Sequence, residues 1–198
     1  MRLGILGGTF DPIHLGHLAA ARAAIVCARL DKVLFVPSGT PPHRGAAVAS
    51  GDQRLEMSRL AIDGEPGFEV SDVEVRRGGR SYTADTLRDL SRQHPQDELF
   101  LVLGWDAARM FSSWRDPDYV RGHVTVVVVG RPGTESPDAG KLAAAGLDPA
   151  KTVLCLHPTP DISGSALRGA IARGDAVRDL PEPVKSYIAK NRLYMDNR

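Results

Sequence analysis

Short, wholly apolar runs alternate with longer amphipathic ones along the chain. Residues 3–6, Leu3-Gly4-Ile5-Leu6, read as a buried strand, and a glycine turn then leads into a helical stretch at about 16–29. Residues 32–36 predict a second strand, ended by Pro37. Over 51–62, apolar Leu55, Met57, Leu60, Ala61 and Ile62 are interleaved with polar Gln53, Arg54, Glu56 and Arg59, a helical pattern. Residues 68–75 alternate apolar with polar and suit a strand near a sheet edge. A helix follows at 83–92, then strands at 99–103, 124–129 and 152–156. Helices at 165–172 and 184–190 close the pattern, and the Gly-, Pro-, Ala- and Asp-rich stretch 131–149 reads as a loop plus a short helix.

Strands that are apolar throughout need cover on both faces. Alternating with helices, they make a doubly wound parallel sheet the economical fold, α/β in class, with a small C-terminal helical part. Residues 1–198 are expected to form a single domain, a size that one core can serve. Ligands of such sheets bind beyond the carboxyl ends of the strands, and each motif below sits at such an end.

Composition narrows the function. Hydrophobic residues are 42% and charged residues 25%, ordinary values for a soluble globular protein. The net charge of +1 provides no global field for nucleic acid, so an anionic substrate must be met by local cations and backbone N–H groups. Cys27 and Cys155 lie in apolar runs and read as buried small hydrophobes, neither a disulfide nor a metal pair. The N-terminal stretch is too short and glycine-rich for a signal segment, and no apolar run could span a membrane. A cytoplasmic protein is expected, with no nucleic-acid or membrane partner. A homo-oligomer is left open.

Gly7-Gly8 follows the first strand, where glycines permit a sharp turn and close backbone approach to a ligand. The next helix starts in the same crevice and favours phosphate there. Neither a dinucleotide G-x-G-x-x-G nor a P-loop G-K-[ST] fits this chain. Instead, His14 and His17 stand three apart at the helix start, near one face. Each offers an N–H donor to phosphate oxygens. The bland alternatives are capping or surface histidines, or metal ligands with no third partner nearby.

Three further segments carry chemistry. Ser163-Gly164-Ser165-Ala166-Leu167-Arg168 opens a helix after the last strand, and its hydroxyls, N–H groups and Arg168 suit an anion as well as they suit simple capping. Thr83 begins a helix, with Tyr82 before it and Asp85 in the first turn; its hydroxyl and the N–H groups can receive a carboxylate, or merely cap. Trp114 lies in polar surroundings, where an indole can stack on a pyridinium. Asp106 ends a strand and suits ribose hydroxyls, or an N-cap.

The run Gly7-Gly8-Thr9-Phe10-Asp11-Pro12-Ile13-His14-Leu15-Gly16-His17 resembles the H-x-G-H motif of the nucleotidyltransferase superfamily. With Pro41-Pro42-His43-Arg44, the segment 81–87, Gly104-Trp105-Asp106, Trp114, Arg131-Pro132-Gly133, Ile162 to Arg168, Tyr187-Ile188 and Leu193-Tyr194, the set is similar to bacterial nicotinate mononucleotide adenylyltransferases over nearly the whole chain. The resemblance implies a Rossmann-like nucleotidyltransferase fold. It also implies ATP on Gly7, Gly8, Thr9, Phe10, His14, His17, Arg44, Asp106, Ser163, Ser165 and Arg168, with His43 a weaker contact. It places the acceptor on Tyr82, Thr83 and Trp114. The family's phosphate segment usually reads I-S-S/A-T-x-I/L-R, so Gly164 keeps its N–H there but brings no hydroxyl.

The implied reaction is adenylyl transfer from ATP to nicotinate mononucleotide in NAD biosynthesis. A phosphate monoester is largely dianionic at neutral pH and is its own nucleophile. Catalysis then falls to positioning and charge neutralisation by His14, His17 and Arg168. Mg²⁺ is expected to arrive with ATP, held by its oxygens and water, with no dedicated protein metal site. The alternatives are another acceptor, nicotinamide mononucleotide or phosphopantetheine, or a non-catalytic nucleotide-binding regulator on the same scaffold.

Overall fold

The computed structural model describes residues 1–40, 47–130, 137–157 and 159–195. Six strands, β1 (Arg2–Gly8), β2 (Lys32–Pro37), β3 (Phe68–Val70), β4 (Glu98–Gly104), β5 (Thr125–Val129) and β6 (Thr152–Cys155), form one sheet. Every pairing is parallel, in the order β3-β2-β1-β4-β5-β6. The connecting helices are α1 (Leu15–Ala28), α2 (Gly51–Ile62), α3 (Val73–Arg77), α4 (Thr83–Gln93), α5 (Trp105–Ala108), α6 (Pro117–His123) and α7 (Ala139–Ala144). α8 (Gly164–Arg173) and α9 (Glu182–Lys190) follow the last strand. The order is that of a doubly wound sheet, with its switch point between β1 and β4.

Alternation along the strands divides the core into two layers. Leu6, Phe35, Phe100, Val102 and Val127 pack on one face with Leu18, Met57, Leu167 and Ile188. Leu3, Ile5, Leu34, Leu101 and Val126 pack on the other with Leu87, Leu90 and Phe111. Successive strand residues point to opposite faces, so a strand buried on both must be apolar at every position. α2 begins with a reciprocal cap: Gln53 N–H donates to Ser50 Oγ at 3.2 Å, and Ser50 N–H donates to Gln53 Oε1 at 2.9 Å.

Two expectations change. The strand read at 68–75 stops at Val70. Ser71 N–H still donates to the Phe35 carbonyl, but Asp72 then takes the N-cap position of the five-residue helix α3. Ser-Asp is a helix-start signal that outweighs the alternation beyond it. Cys27 and Cys155 are not separate apolar residues either: a disulfide joins α1 to β6, with the Cα atoms 5.6 Å apart. An apolar setting is the same for a packed thiol and a buried bridge, and partners 128 residues apart leave no spacing signal.

β1 and β4 pair from Arg2 with Glu98 to Ile5 with Leu101, and no further. β1 continues to Gly8 and β4 to Gly104, so the two strands splay at their carboxyl ends. The opening between them is the mouth of the site. Among the described residues, no helix is long and apolar enough to cross a membrane.

Candidate active site

A cleft of about 830 Å³ fills the splay, with Ile5, Leu6, Leu101, Val102 and Leu103 as part of its floor. It is a size suited to small-molecule recognition. One wall is the loop after β1. Phe10 takes a left-handed φ of 51°, a strained choice for a buried aromatic residue. Gly8 makes room for it: a Cβ there would lie 2.6 Å from the Phe10 ring.

His14 and His17 form the start of α1. Their rings stack with centroids 3.7 Å apart, and Phe10 meets His17 edge-on at 4.9 Å. His14 N–H donates to His17 Nδ1 at 3.2 Å, while His17 N–H donates to the His14 carbonyl at 2.9 Å. An Nδ1 that accepts leaves Nε2 to carry the His17 ring proton, and with it the donor role toward a phosphate. Gly16 lets the rings sit this close, since a Cβ would come within 3.1 Å of His14 Nδ1.

α8 closes the wall opposite. Ser163 and Ser165 join their hydroxyls at 2.8 Å. Ser163 occupies the N-cap position of α8, where its hydroxyl meets Ser165 rather than a main-chain N–H of the helix. Arg168, one turn on, reaches back to the β1 loop and donates through Nη1 to the Asp11 carbonyl at 2.7 Å. The serines, Arg168 and both histidines line one cleft with Gly7, Gly8, Thr9 and Phe10.

The far end of the cleft belongs to α4 and the segment after β4. Tyr82 stands at the N-cap of α4 with no side-chain cap, and Thr83 is its first residue. Trp114 packs against Phe111 at 5.4 Å between ring centroids while also lining the cleft, so it is both core and wall. Arg115 lies over the Tyr82 ring, 4.7 Å from its centroid. Asp106 is in the first turn of α5, facing the cleft and 3.5 Å from Arg109; the N-cap there is Gly104. The cleft thus brings together every described residue assigned from sequence. His43, Arg44 and Arg131-Pro132-Gly133 lie outside the described residues.

Sequence reasoning missed the scaffold behind this wall. Asp11 is buried, and its Oδ2 accepts from Val48 N–H at 2.8 Å. Its Oδ1 accepts from Ala49 N–H at 3.1 Å and from the Tyr194 hydroxyl at 2.7 Å. Burial, then Asp11, hold that hydroxyl firmly protonated, its pKa far above the ordinary tyrosine value. Arg54 is 1% exposed and donates to three carbonyls, Ala49, Thr9 and Gly39, at 3.2, 2.7 and 2.8 Å. Burial lowers its pKa, against the pull of Asp11. Glu74, also buried, accepts from Thr86 Oγ1 at 2.6 Å beneath the Tyr82 end.

The chain belongs to the cytidylyltransferase-like family, whose model matches residues 5–170. Its relatives include a protein of Citrifermentans bemidjiense named probable nicotinate-nucleotide adenylyltransferase, 43% identical with 100% of both chains covered. A Thermus thermophilus protein of the same name is 42% identical over 98% of this chain and 100% of its own. The fold is that of the Plasmodium falciparum nicotinic acid mononucleotide adenylyltransferase solved with NaAD, at a TM-score of 0.79, 19% identity and 98% and 97% coverage. A putative nicotinate-nucleotide adenylyltransferase of Vibrio parahaemolyticus shares it at a TM-score of 0.69, 18% identity and 100% and 98% coverage.

Proposed function

We propose that this protein is an enzyme that transfers the adenylyl group of ATP to nicotinate mononucleotide, releasing pyrophosphate and giving nicotinate adenine dinucleotide for NAD synthesis. The observation that carries this is one cleft with a phosphate end at His14, His17, Ser163, Ser165 and Arg168 and an aromatic end at Tyr82, Thr83 and Trp114. The full-length relatives named for this activity support it.

The acceptor phosphate attacks the α-phosphorus in line. Its oxygen forms the new P–O bond as the bond to the β-phosphate bridge breaks, and pyrophosphate leaves with that electron pair. No general base is required, because the attacking phosphate is already largely dianionic. His17 Nε2–H, His14 and the Arg168 fork offset the charge that spreads over the phosphates. Thr83 and the first N–H groups of α4 receive the nicotinate carboxylate, and Trp114 stacks on the pyridinium. Mg²⁺ enters as part of the ATP substrate and screens the triphosphate. Of the carboxylates among the described residues lining the cleft, Asp11 is engaged by N–H groups and Tyr194, and Glu74 by Thr86, while Asp106 is exposed, 3.5 Å from Arg109.

The deciding assay is pyrophosphate release from ATP with nicotinate or nicotinamide mononucleotide. The reading expects a higher kcat/KM with nicotinate mononucleotide. Equal values refute carboxylate recognition, and no release with either refutes the activity.

A further inference from the structure

Away from the cleft, Cys27 near the end of α1, Cys155 at the end of β6 and His157 converge. The two Sγ atoms and an imidazole nitrogen lie within 4.8 Å of one another. His157 Nδ1 is 3.3 Å from Cys27 Sγ and 3.8 Å from Cys155 Sγ. We propose that, once the disulfide is reduced, these three side chains bind one zinc-class divalent cation. The sequence expects neither a metal role for these cysteines nor any dedicated protein metal site.

Four features carry the inference. Two thiolates and an imidazole are the donor set that zinc prefers, and the set lacks the hard oxygens that magnesium or calcium needs. Tetrahedral zinc, with bonds of about 2.3 Å to sulfur and about 2.0 Å to nitrogen, sets sulfur and nitrogen about 3.6 Å apart. That separation lies between the two Sγ–Nδ1 distances observed. Cys155 is buried at the end of the edge strand β6, packed in the core, and holds a ligand in place, whereas His157 is exposed and leaves a solvent-facing position for water. Cys27 sits in the last turn of α1, where the negative end of the helix dipole favours a cation.

The chemistry balances in two steps. A dithiol reductant gives two electrons and two protons to the Cys27–Cys155 bond and becomes a disulfide itself. The cation then displaces both thiol protons, forming two metal–sulfur bonds and one bond to neutral His157 Nδ1, with water in the fourth position. In a reducing compartment the dithiol is the resting form, and the site stands ready.

The test uses the full chain, reduced with dithiothreitol and desalted without oxygen. Cobalt(II) is added as a spectroscopic probe, and Zn²⁺ is titrated against a chromophoric chelator. The expected result is a thiolate-to-cobalt charge-transfer band and one zinc per chain in reduced protein, with neither in oxidised protein nor in the C27S/C155S double variant. His157→Ala should weaken zinc binding roughly tenfold or more. A reduced wild-type protein without the thiolate–cobalt band overturns the proposal, whatever the variants do. So does equal zinc uptake by the double variant, which would place the ion on other histidines such as His14 and His17.

Discussion

Arg168 meets Asp11 through the main chain: its Nη1 donates to the aspartate carbonyl oxygen at 2.7 Å, while the carboxylate Oδ2 stands off at 3.9 Å. One limb of the fork is thereby spent on joining α8 to the β1 loop, and the rest of the guanidinium remains for phosphate. Lysine cannot do both, because it carries a single point charge. Arg168→Ala is expected to lower kcat/KM for ATP on the order of 10²–10³-fold, with Arg168→Lys recovering only part. Full recovery by lysine in steady-state pyrophosphate release would contradict the bridging role.

His17 carries the complementary prediction. His17→Ala should lose on the order of 10²–10³-fold in kcat with the fold intact by circular dichroism. A kcat near the wild-type value would remove His17 from the charge-neutralising set.

Trp114 divides the two substrates. Trp114→Ala should raise KM for the mononucleotide roughly tenfold and leave KM for ATP nearly unchanged. Trp114→Phe, which keeps an aromatic face against Phe111, should fall between. A parallel rise in both constants would mean that the indole supports the cleft generally.

Tyr194 tests the scaffold. Its buried hydroxyl donates to the Asp11 carboxylate, so Tyr194→Phe should cost about 1.5–3 kcal/mol of stability in urea unfolding. Unchanged stability would show that Val48 and Ala49 N–H suffice for Asp11.

Glu74 makes stability depend on pH. Burial holds its carboxyl above the ordinary glutamate range, outweighing Ser81, Thr86 and Arg77, which pull it down. The unfolded chain releases this proton at about pH 4.3, the folded protein at a higher pH. The associated stability is complete below the unfolded value and is lost as pH rises through the folded one. Glu74→Gln keeps an acceptor for Thr86 and cannot ionise. Its stability relative to wild type should climb as the pH rises from about 4.3 through the raised folded-state value. A difference independent of pH in urea unfolding would refute this.

How much of this was legible depends on the length scale of each signal. The helix read at 51–62 coincides with α2, because its capping box and its apolar positions are local. His14, His17, Ser163 and Arg168 stand out in the sequence because each lies at or near the start of a helix that follows a strand. Arg54 was not: on the helix pattern it is one polar residue among several, and only the Thr9 and Gly39 carbonyls folding over it make it buried. Asp11 reads as a loop residue until Tyr194, 183 residues on, arrives at its carboxylate. The bond between Cys27 and Cys155 likewise depends on what lies across space.

The splay of β1 from β4 has an evolutionary consequence. Past Ile5 and Leu101 these strands turn main-chain N–H and C=O groups, freed from each other, toward the cleft. A contact made through main chain is indifferent to which apolar side chains flank it, so this wall can exchange one apolar residue for another, Gly8 excepted, where a Cβ would meet the Phe10 ring. It has no such tolerance for length. One residue inserted or deleted in either strand would slide its register and exchange its faces. Lineages of this fold should therefore exchange apolar residues for other apolar residues along these two strands while preserving their spacing.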